Sequence, residues 1–383
     1  MTSPEASDSK PSGRKTFLYA ALTAVGTLLF VAAAGEFVLR QQRVAIEDSE
    51  KLEKGLFSYD PQLGWRLQAN WAGKHRHHDF NVTYQTGADG FRGRLRKSAQ
   101  RTAIIGDSFT FGFGVGPGQA FTALLDAADR KRAYRNFGVP SYSTDQEVLL
   151  IEQLLPRYRP GTVLLAVYLG DDLADNMRPY PLRLDNAKPY FEPSSTGLEL
   201  RNVPVPRQRK PSSEQRVDLH KVILAGSGVR PGFWKGMLGE SETTRRLGLN
   251  QSKKIDLGDH FQRNQVLPLA LFQALVRRAR AATGGQDANL GLILLPGPDF
   301  VQDPDGIGAQ YQDHLRQAIV AWARAEALPA LDAAEELRRR YQNGTHGDYY
   351  ENEGHLTAQG HSAVAKLLAP WINANFAAKG KTN

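Results

Sequence analysis

Two short apolar runs, each ending in glycine and acidic residues, constrain the fold of this chain more than any other feature. The first run, 101–105, ends in β-branched residues and is followed by Gly-Asp-Ser at 106–108. The second, 162–169, is followed by Gly-Asp-Asp at 170–172. Short, bounded apolar runs are typical of buried parallel strands. The polar residues after them would then lie at the carboxyl edge of the sheet, where open α/β sheets bind ligands.

Helical and strand-like segments alternate along most of the remaining sequence. Ser143 and Gln146 have capping-box spacing at the start of a helix whose apolar face continues to Pro156. Alternating helices and apolar strands predict a parallel sheet that is covered on both faces. The other predicted elements are strands at 133–135, 290–295 and 328–331 and helices at 261–282, 309–327 and 362–376.

Ser108 is the candidate nucleophile, because it follows a predicted strand at the edge where ligands bind. Gly-Asp-Ser alone is often only a turn. Three further segments strengthen the interpretation: Asn136–Thr144 with Gly138, the run that ends at Asp171, and Glu351–His361 with His355.

These four segments, in this order and spacing, resemble the SGNH (GDSL) hydrolases, a family of serine esterases. The resemblance implies a three-layer α/β/α sandwich with a parallel, flavodoxin-like sheet, and ester hydrolysis without a metal or cofactor. It matches Ser108 to the nucleophile and His355 to the catalytic base. It also assigns the oxyanion contacts to Ser108, Gly138 and Asp171.

Two matched positions depart from the family pattern. Asp171 stands where the family has asparagine, and Glu353, two residues before His355, takes the place of the usual aspartate. An ionised carboxylate would repel an oxyanion, and one lost donor typically costs about 10²- to 10³-fold in turnover. Three explanations are open: Asp171 is kept protonated by burial and by Asp172, two backbone amides suffice, or the enzyme is slow or degenerate.

His355 is the histidine best placed to activate Ser108. A serine hydroxyl needs a base to remove its proton, and imidazole suits that task near neutral pH. His361 falls within the predicted last helix, and His346 lies well before the matched segment. Glu353 is the candidate for the third member, which would fix the imidazole tautomer.

The amino terminus combines a basic tail with a long apolar run. Lys10, Arg14 and Lys15 precede residues 17–34, which contain no charge and nearly span a bilayer core of ~30 Å at about 1.5 Å per residue. The basic flank places the amino terminus inside and the rest outside the cytoplasm, which in a bacterium is the periplasmic face of the inner membrane. The small residues 32–34 leave a cleaved signal peptide as an alternative.

Composition excludes several other classes of protein. The chain has no cysteine, so it has no disulfide, thiolate metal site or cysteine nucleophile. Its net charge of +8 is dispersed, with no nucleic-acid-binding module. The excess charge either attracts anionic lipid or acidic polysaccharide or is simply that of a solvated surface. His75, His77 and His78 alternate with or adjoin basic residues, which favours a solvated strand or loop over a metal site.

The sequence therefore predicts a single-pass membrane protein with an extracytoplasmic serine esterase domain. Its partners would be an acyl ester, such as an acylated glycan or lipid, and the membrane. Two alternatives are open: an acyltransferase acting on cell-envelope glycans, and a decayed binding or scaffold module. The proposed parts are a cytoplasmic tail (1–15), a transmembrane signal anchor (16–39), a linker and short β apron (40–98), an SGNH-like domain (99–376) with an insertion at about 177–260 that forms either a lid or a surface loop, and a tail (377–383).

Overall fold

The computed structural model describes residues 13–47, 49–93, 96–182, 184–195, 197–208 and 257–376. The predicted tails and most of the predicted insertion lie outside these residues. The chain divides into two compact units. In the first, the described residues form helix α1 (Gly13–Glu47). All the other elements belong to the second unit.

Short antiparallel strands form the segment between the first helix and the parallel sheet, which we call the apron. They are β1 (Lys51–Leu52), β2 (Phe57–Asp60), β3 (Gly64–Leu67), β4 (Ala72–Arg76) and β5 (Asn81–Gln85). β2 pairs with β3, and β4 pairs with both β1 and β5. The apron packs on the rest of the second unit, where the indole of Trp65 donates a hydrogen bond to the Pro140 carbonyl.

A five-stranded parallel sheet forms the centre of the second unit. Its strands are β6 (Gln100–Gly106), β7 (Arg132–Gly138), β8 (Thr162–Tyr168), β11 (Asn289–Leu295) and β12 (Ala330–Asp332). Their order is β12-β11-β8-β6-β7, which is the flavodoxin-like order that the resemblance implies. β7 and β8 are buried along their whole length. Burial on both faces explains the near-continuous apolar sequence of β8, whereas β7 also buries Arg132, Arg135 and Asn136. Outside this sheet, β9 (Tyr190–Ser194) and β10 (Gly197–Arg201) form a separate hairpin.

Helices cover both faces of this sheet and complete the predicted three-layer sandwich. They are α2 (Ser108–Phe111), α3 (Phe121–Ala128), α4 (Thr144–Tyr158), α5 (Asp172–Asp175), α6 (Gly258–Asn264), α7 (Val266–Gly284), α8 (Pro298–Gln302), α9 (Ile307–Ala325), α10 (Ala334–Gln342) and α11 (Ala358–Asn375). α3 packs against β7 and α11, whereas α4 packs against α7.

Two local predictions about helices are wrong. The helix expected at 261–282 is two helices, α6 and α7, which meet at Gln265. The expected capping box of α4 does not form, because Ser143 Oγ donates to Asp145 Oδ1 rather than capping the helix. Asp145 instead accepts from the Gln146 amide and pairs with the fully buried Lys188.

The described part of the predicted insertion packs on the apron and on the main core. The Tyr59 hydroxyl donates to the Val205 carbonyl at 2.6 Å, and the Val205 amide donates to Pro61 at 2.8 Å. Phe191 of β9 is buried in the main core. None of the described residues 177–208 lines the cavity that holds Ser108.

Candidate active site

Ser108 is the first residue of α2, directly after the carboxyl end of β6. The Asp107 side chain caps this helix by accepting from the Phe109 amide at 2.9 Å. Gly106 lets the helix sit closely on the strand, since a Cβ there would collide with the Thr110 side chain. Gly112 ends the helix in the left-handed conformation, with φ of 82°. The Ser108 hydroxyl is thereby held at the carboxyl edge of the sheet.

The structure brings Ser108, His355 and Glu353 together. His355 Nε2 lies 2.7 Å from Ser108 Oγ, and His355 Nδ1 lies 2.6 Å from Glu353 Oε1. The second oxygen of Glu353 accepts from the His355 backbone amide at 3.0 Å. Serine, base and carboxylate at these distances meet the geometry that a nucleophilic triad requires.

Aromatic rings hold the imidazole from two sides. Phe109 and Phe113 each lie with their ring centroids 4.8 Å from that of His355. Phe109 in turn stacks on Tyr168 at the end of β8. The side chain of His355 is 15% exposed and that of Glu353 is 11% exposed. The pair is therefore partly shielded from water while its serine faces the cavity.

The other two histidines considered for the base lie away from Ser108. His361 is buried in α11 beside Phe121, and burial lowers its pKa to about 3. His346 is exposed and packs against Tyr341. Neither residue lines the cavity with Ser108, whereas His355 does.

Gly138 does not take the predicted oxyanion position, and this part of the prediction is wrong. Its amide donates to Asn136 Oδ1 at 2.9 Å, and the residue does not line the cavity. A Cβ at this position would collide with the backbone of Thr110 and Phe111. The glycine is needed because α2 crosses β7 at this point without room for a side chain.

Ser141, three residues further on, lines the cavity instead. Its φ of 63° lies in the left-handed region, which a residue other than glycine adopts at some cost. The structure shows no hydrogen bond from its amide to any described residue. Sequence reasoning selected the glycine and missed Ser141, because an unusual φ at serine leaves no mark in the sequence.

Asp171 lines the same cavity as Ser108 and His355, at the start of α5. Its position therefore agrees with the expected sheet edge. The cavity has a volume of about 140 Å³. Its lining includes five carboxyl groups and one imidazole, and no lysine or arginine among the described residues: Asp107, Asp171, Asp175, Asp299, Glu353 and His355. This acidic lining contrasts with the positive net charge of the chain.

Burial shifts the proton affinity of several of these acids. It raises the pKa of Asp107 to about 6, opposed by His355 and reinforced by Asp171. Burial, together with the charge of Asp171, raises the pKa of Asp175 to about 8. Behind them, burial raises the pKa of Glu147 and Asp172 well above their ordinary values. A pKa of about 8 keeps Asp175 largely neutral at pH 7, whereas a pKa of about 6 leaves Asp107 mostly ionised.

The histidines near residue 75 are not solvated as a group. His75 is fully buried, 2.9 Å from the Tyr84 hydroxyl and 3.1 Å from Glu50 Oε1. The prediction of a solvated segment is wrong for this residue. Within the described part of the chain, no group of three or more His, Cys, Asp or Glu side chains is arranged to hold a metal ion.

Comparisons with known proteins give structural likenesses only. No protein-family model matches the chain, and no curated protein is detectably similar in sequence. A G-D-S-L lipolytic protein from Veillonella parvula is similar at 14% identity and a TM-score of 0.37, over 73% of this chain and 98% of that one. A putative one from Desulfitobacterium hafniense has 14% identity and a TM-score of 0.39, over 71% and 99%.

A catalytic mutant of an acetylxylan esterase from Geobacillus stearothermophilus is also similar. Its identity is 13% and its TM-score 0.38, over 73% of this chain and 96% of that one. The residues and distances of the site, rather than these likenesses, carry the functional argument.

Proposed function

We propose that this protein is a serine ester hydrolase that works through an acyl-serine intermediate. The observation that carries the proposal is the continuous contact from Ser108 Oγ to His355 and from His355 to Glu353. The residues come from two distant parts of the chain, and a chance meeting in this order and at hydrogen-bond distance is improbable without a chemical role. Polar groups in this arrangement suit acyl transfer.

In this mechanism His355 Nε2 takes the proton from Ser108 as its oxygen attacks the ester carbonyl. Glu353 holds Nδ1 protonated and stabilises the imidazolium that forms. His355 then gives the proton to the leaving alcohol, and water repeats the sequence to release the acid. The amides of Ser108 and Ser141 are our proposed donors to the oxyanion, with Asp171 beside them.

The cavity favours a short acyl group and an uncharged or cationic ester. Its volume of about 140 Å³ is below the ~300 Å³ at which pockets for drug-sized ligands begin. Its acidic lining would repel an anionic substrate through the low-dielectric interior. We therefore place short-chain esters of neutral alcohols, including acetylated sugars, ahead of anionic lipids as substrates.

An active-serine fluorophosphonate probe tests the proposal directly. The full chain should be labelled at Ser108, and it should hydrolyse a neutral short-chain aryl ester faster than an analogue with a carboxylate on the acyl chain. Absence of both labelling and hydrolysis would instead support a decayed binding module. Transfer of the acyl group to an added glycan in excess of hydrolysis would indicate an acyltransferase.

Asp171→Asn tests the role of the unusual carboxylate. A neutral amide at this position could donate to the oxyanion, so turnover near neutral pH should increase, by up to the ~10²-fold that one donor supplies. Asp299→Asn is the matched control, since Asp299 lines the same cavity and loses the same charge. Equal effects of the two substitutions, or no effect of either, would show that Asp171 does not act on the oxyanion.

We further propose that α1 anchors the protein in the inner membrane with the second unit in the periplasm. One described helix, Lys15–Ile46, is long and apolar enough to cross a membrane, and its apolar side chains are exposed. The basic residues before it support an inside amino terminus. A cleaved signal peptide would give the same location without the anchor.

Reporters fused to the carboxyl end of the full chain should be active only outside the cytoplasm. An alkaline phosphatase fusion would then be active and a green fluorescent protein fusion exported through the general secretion route would be dark. The mass of the purified chain distinguishes an intact anchor from a cleaved signal peptide. Reversal of the two reporter signals would contradict the proposed orientation.

A further inference from the structure

Asp79, in the apron loop between β4 and β5, binds the turn that carries Glu353. Its Oδ2 accepts from the backbone amides of Asn352 at 2.9 Å and Glu353 at 3.0 Å. Its Oδ1 accepts from Asn352 Nδ2 at 2.7 Å. Asp79 therefore occupies both oxygens with donors from one short turn, although the turn lies far away in sequence.

The Asp79 carboxylate is largely enclosed and stays charged. Its side chain is 9% exposed, and His77 Nδ1 lies 3.9 Å away. Burial alone would raise its pKa, but the hydrogen bonds from Asn352 and Glu353 outweigh burial and hold the pKa below its ordinary value. Hydrogen bonds to a charged acceptor are stronger than neutral ones, so this contact is suited to fixing the turn.

The turn carries Glu353, whose carboxylate contacts the His355 imidazole directly. Glu353 uses one oxygen for the His355 backbone amide and the other for Nδ1. Gly354, with φ of 85°, lets the chain reverse between the two residues. The Tyr350 amide donates to the His355 carbonyl at 2.9 Å and closes the turn. Fixing the backbone at Glu353 thus fixes the carboxylate and the ring that it holds.

Phe80, the neighbour of Asp79 in the apron loop, packs against aromatic rings near the turn that carries Glu353. Its ring packs 5.2 Å from Tyr350 and 6.4 Å from Phe113 between centroids. Phe113 is one of the two rings that face His355. One apron loop therefore contacts both the turn of the carboxylate and the aromatic support of the imidazole.

We infer that Asp79 is a positioning residue of the active site, and that it holds Glu353 where Glu353 can orient His355. The inference rests on the triad roles proposed above. It makes the apron a working part of the site rather than only a cover for the sheet. Asp79 itself does not line the cavity and acts through Glu353.

A double-mutant cycle on the full chain tests this inference. Asp79→Ala should lower kcat by about 10- to 10²-fold, the cost of a small misplacement, and leave KM within about two-fold. In a Glu353→Ala background the same substitution should have little further effect, because the residue through which it acts is gone. Asp79→Asn retains an oxygen for the two backbone amides and should recover most of the activity.

Asp89→Ala is the matched control, because Asp89 also belongs to the apron and pairs with Arg135, a residue outside the cavity. It should lower the melting temperature but not kcat. A proton NMR measurement gives a readout that does not depend on turnover. The low-field resonance of His355 Nδ1–H, assigned by its loss in Glu353→Ala, should disappear in Asp79→Ala and persist in Asp89→Ala.

The possible results separate the two proposals. Equal losses from Asp79→Ala in the wild-type and Glu353→Ala backgrounds, or an unchanged NMR resonance, would overturn the positioning role. A lower melting temperature with an unchanged kcat in Asp79→Ala, as expected for Asp89→Ala, would also overturn it. Full activity of Ser108→Ala would instead refute the proposed esterase mechanism, and the NMR result would still decide whether Asp79 holds the Glu353–His355 pair.

Discussion

Ser108→Ala and His355→Ala are each expected to lower the hydrolysis of a short-chain aryl ester by about 10⁴-fold or more. The serine substitution removes the attacking oxygen, and the histidine substitution removes the base that lies 2.7 Å from it. Because the two residues act in one step, the double mutant should be no worse than either single mutant. Steady-state rates of the purified full chain provide the measurement.

Ser98→Ala and His346→Ala are the matched controls, since both residues lie outside the cavity. Both controls should hydrolyse the ester at the wild-type rate. The fluorophosphonate probe should label His355→Ala far more slowly than the wild type and should not label Ser108→Ala. Wild-type rates in either single mutant of the site would refute the serine esterase mechanism.

Glu353→Gln is expected to have the second largest effect, a loss of about 10³- to 10⁴-fold in kcat. The amide has nearly the same shape but no charge, so it neither stabilises the imidazolium nor favours the Nδ1-protonated tautomer. Glu353→Asp should lose less, because it keeps the charge with a shorter reach. Glu351→Gln is the control, as it removes an exposed carboxylate from the same loop.

The result also tests whether Asp107, whose carboxylate lies close to Ser108, serves as the acidic member of the triad in place of Glu353. Its Oδ2 lies 3.3 Å from the serine hydroxyl, against 2.6 Å between Glu353 and His355. A small effect of Glu353→Gln together with a large effect of Asp107→Asn would reassign the acidic member of the triad. We expect the reverse order.

The sheet could be predicted from the sequence because its inner strands are buried on both faces. Every residue of β8 is buried, so the sequence of this strand is an apolar run. The position of Ser108 follows from the same reasoning, since the polar residues come where the run ends. The sequence also contains a cause for the break between α6 and α7, because Pro268 lacks the N–H that a continuous helix would need.

Other features of the site depend on contacts that a local pattern does not contain. β4 has alternating exposed and buried residues, and His75 stands between Lys74 and Arg76. The alternation could be predicted from the sequence, but not that His75 is on the buried face. Ser141 is distinguished by its φ, and Asp79 by a contact across 273 positions. Such features require the folded chain.

In the proposed mechanism, the spacing of the triad residues along the chain determines when activity can first arise during synthesis. Ser108 and His355 are separated by 247 positions, and the turn that carries Glu353 and His355 is bound by Asp79, which emerges before the serine. A ribosome-bound or truncated chain that ends before residue 355 has a nucleophile without a base. In the proposed mechanism, ester cleavage therefore begins only after the turn that carries Glu353 and His355 has been made and has packed against the apron loop that holds Asp79.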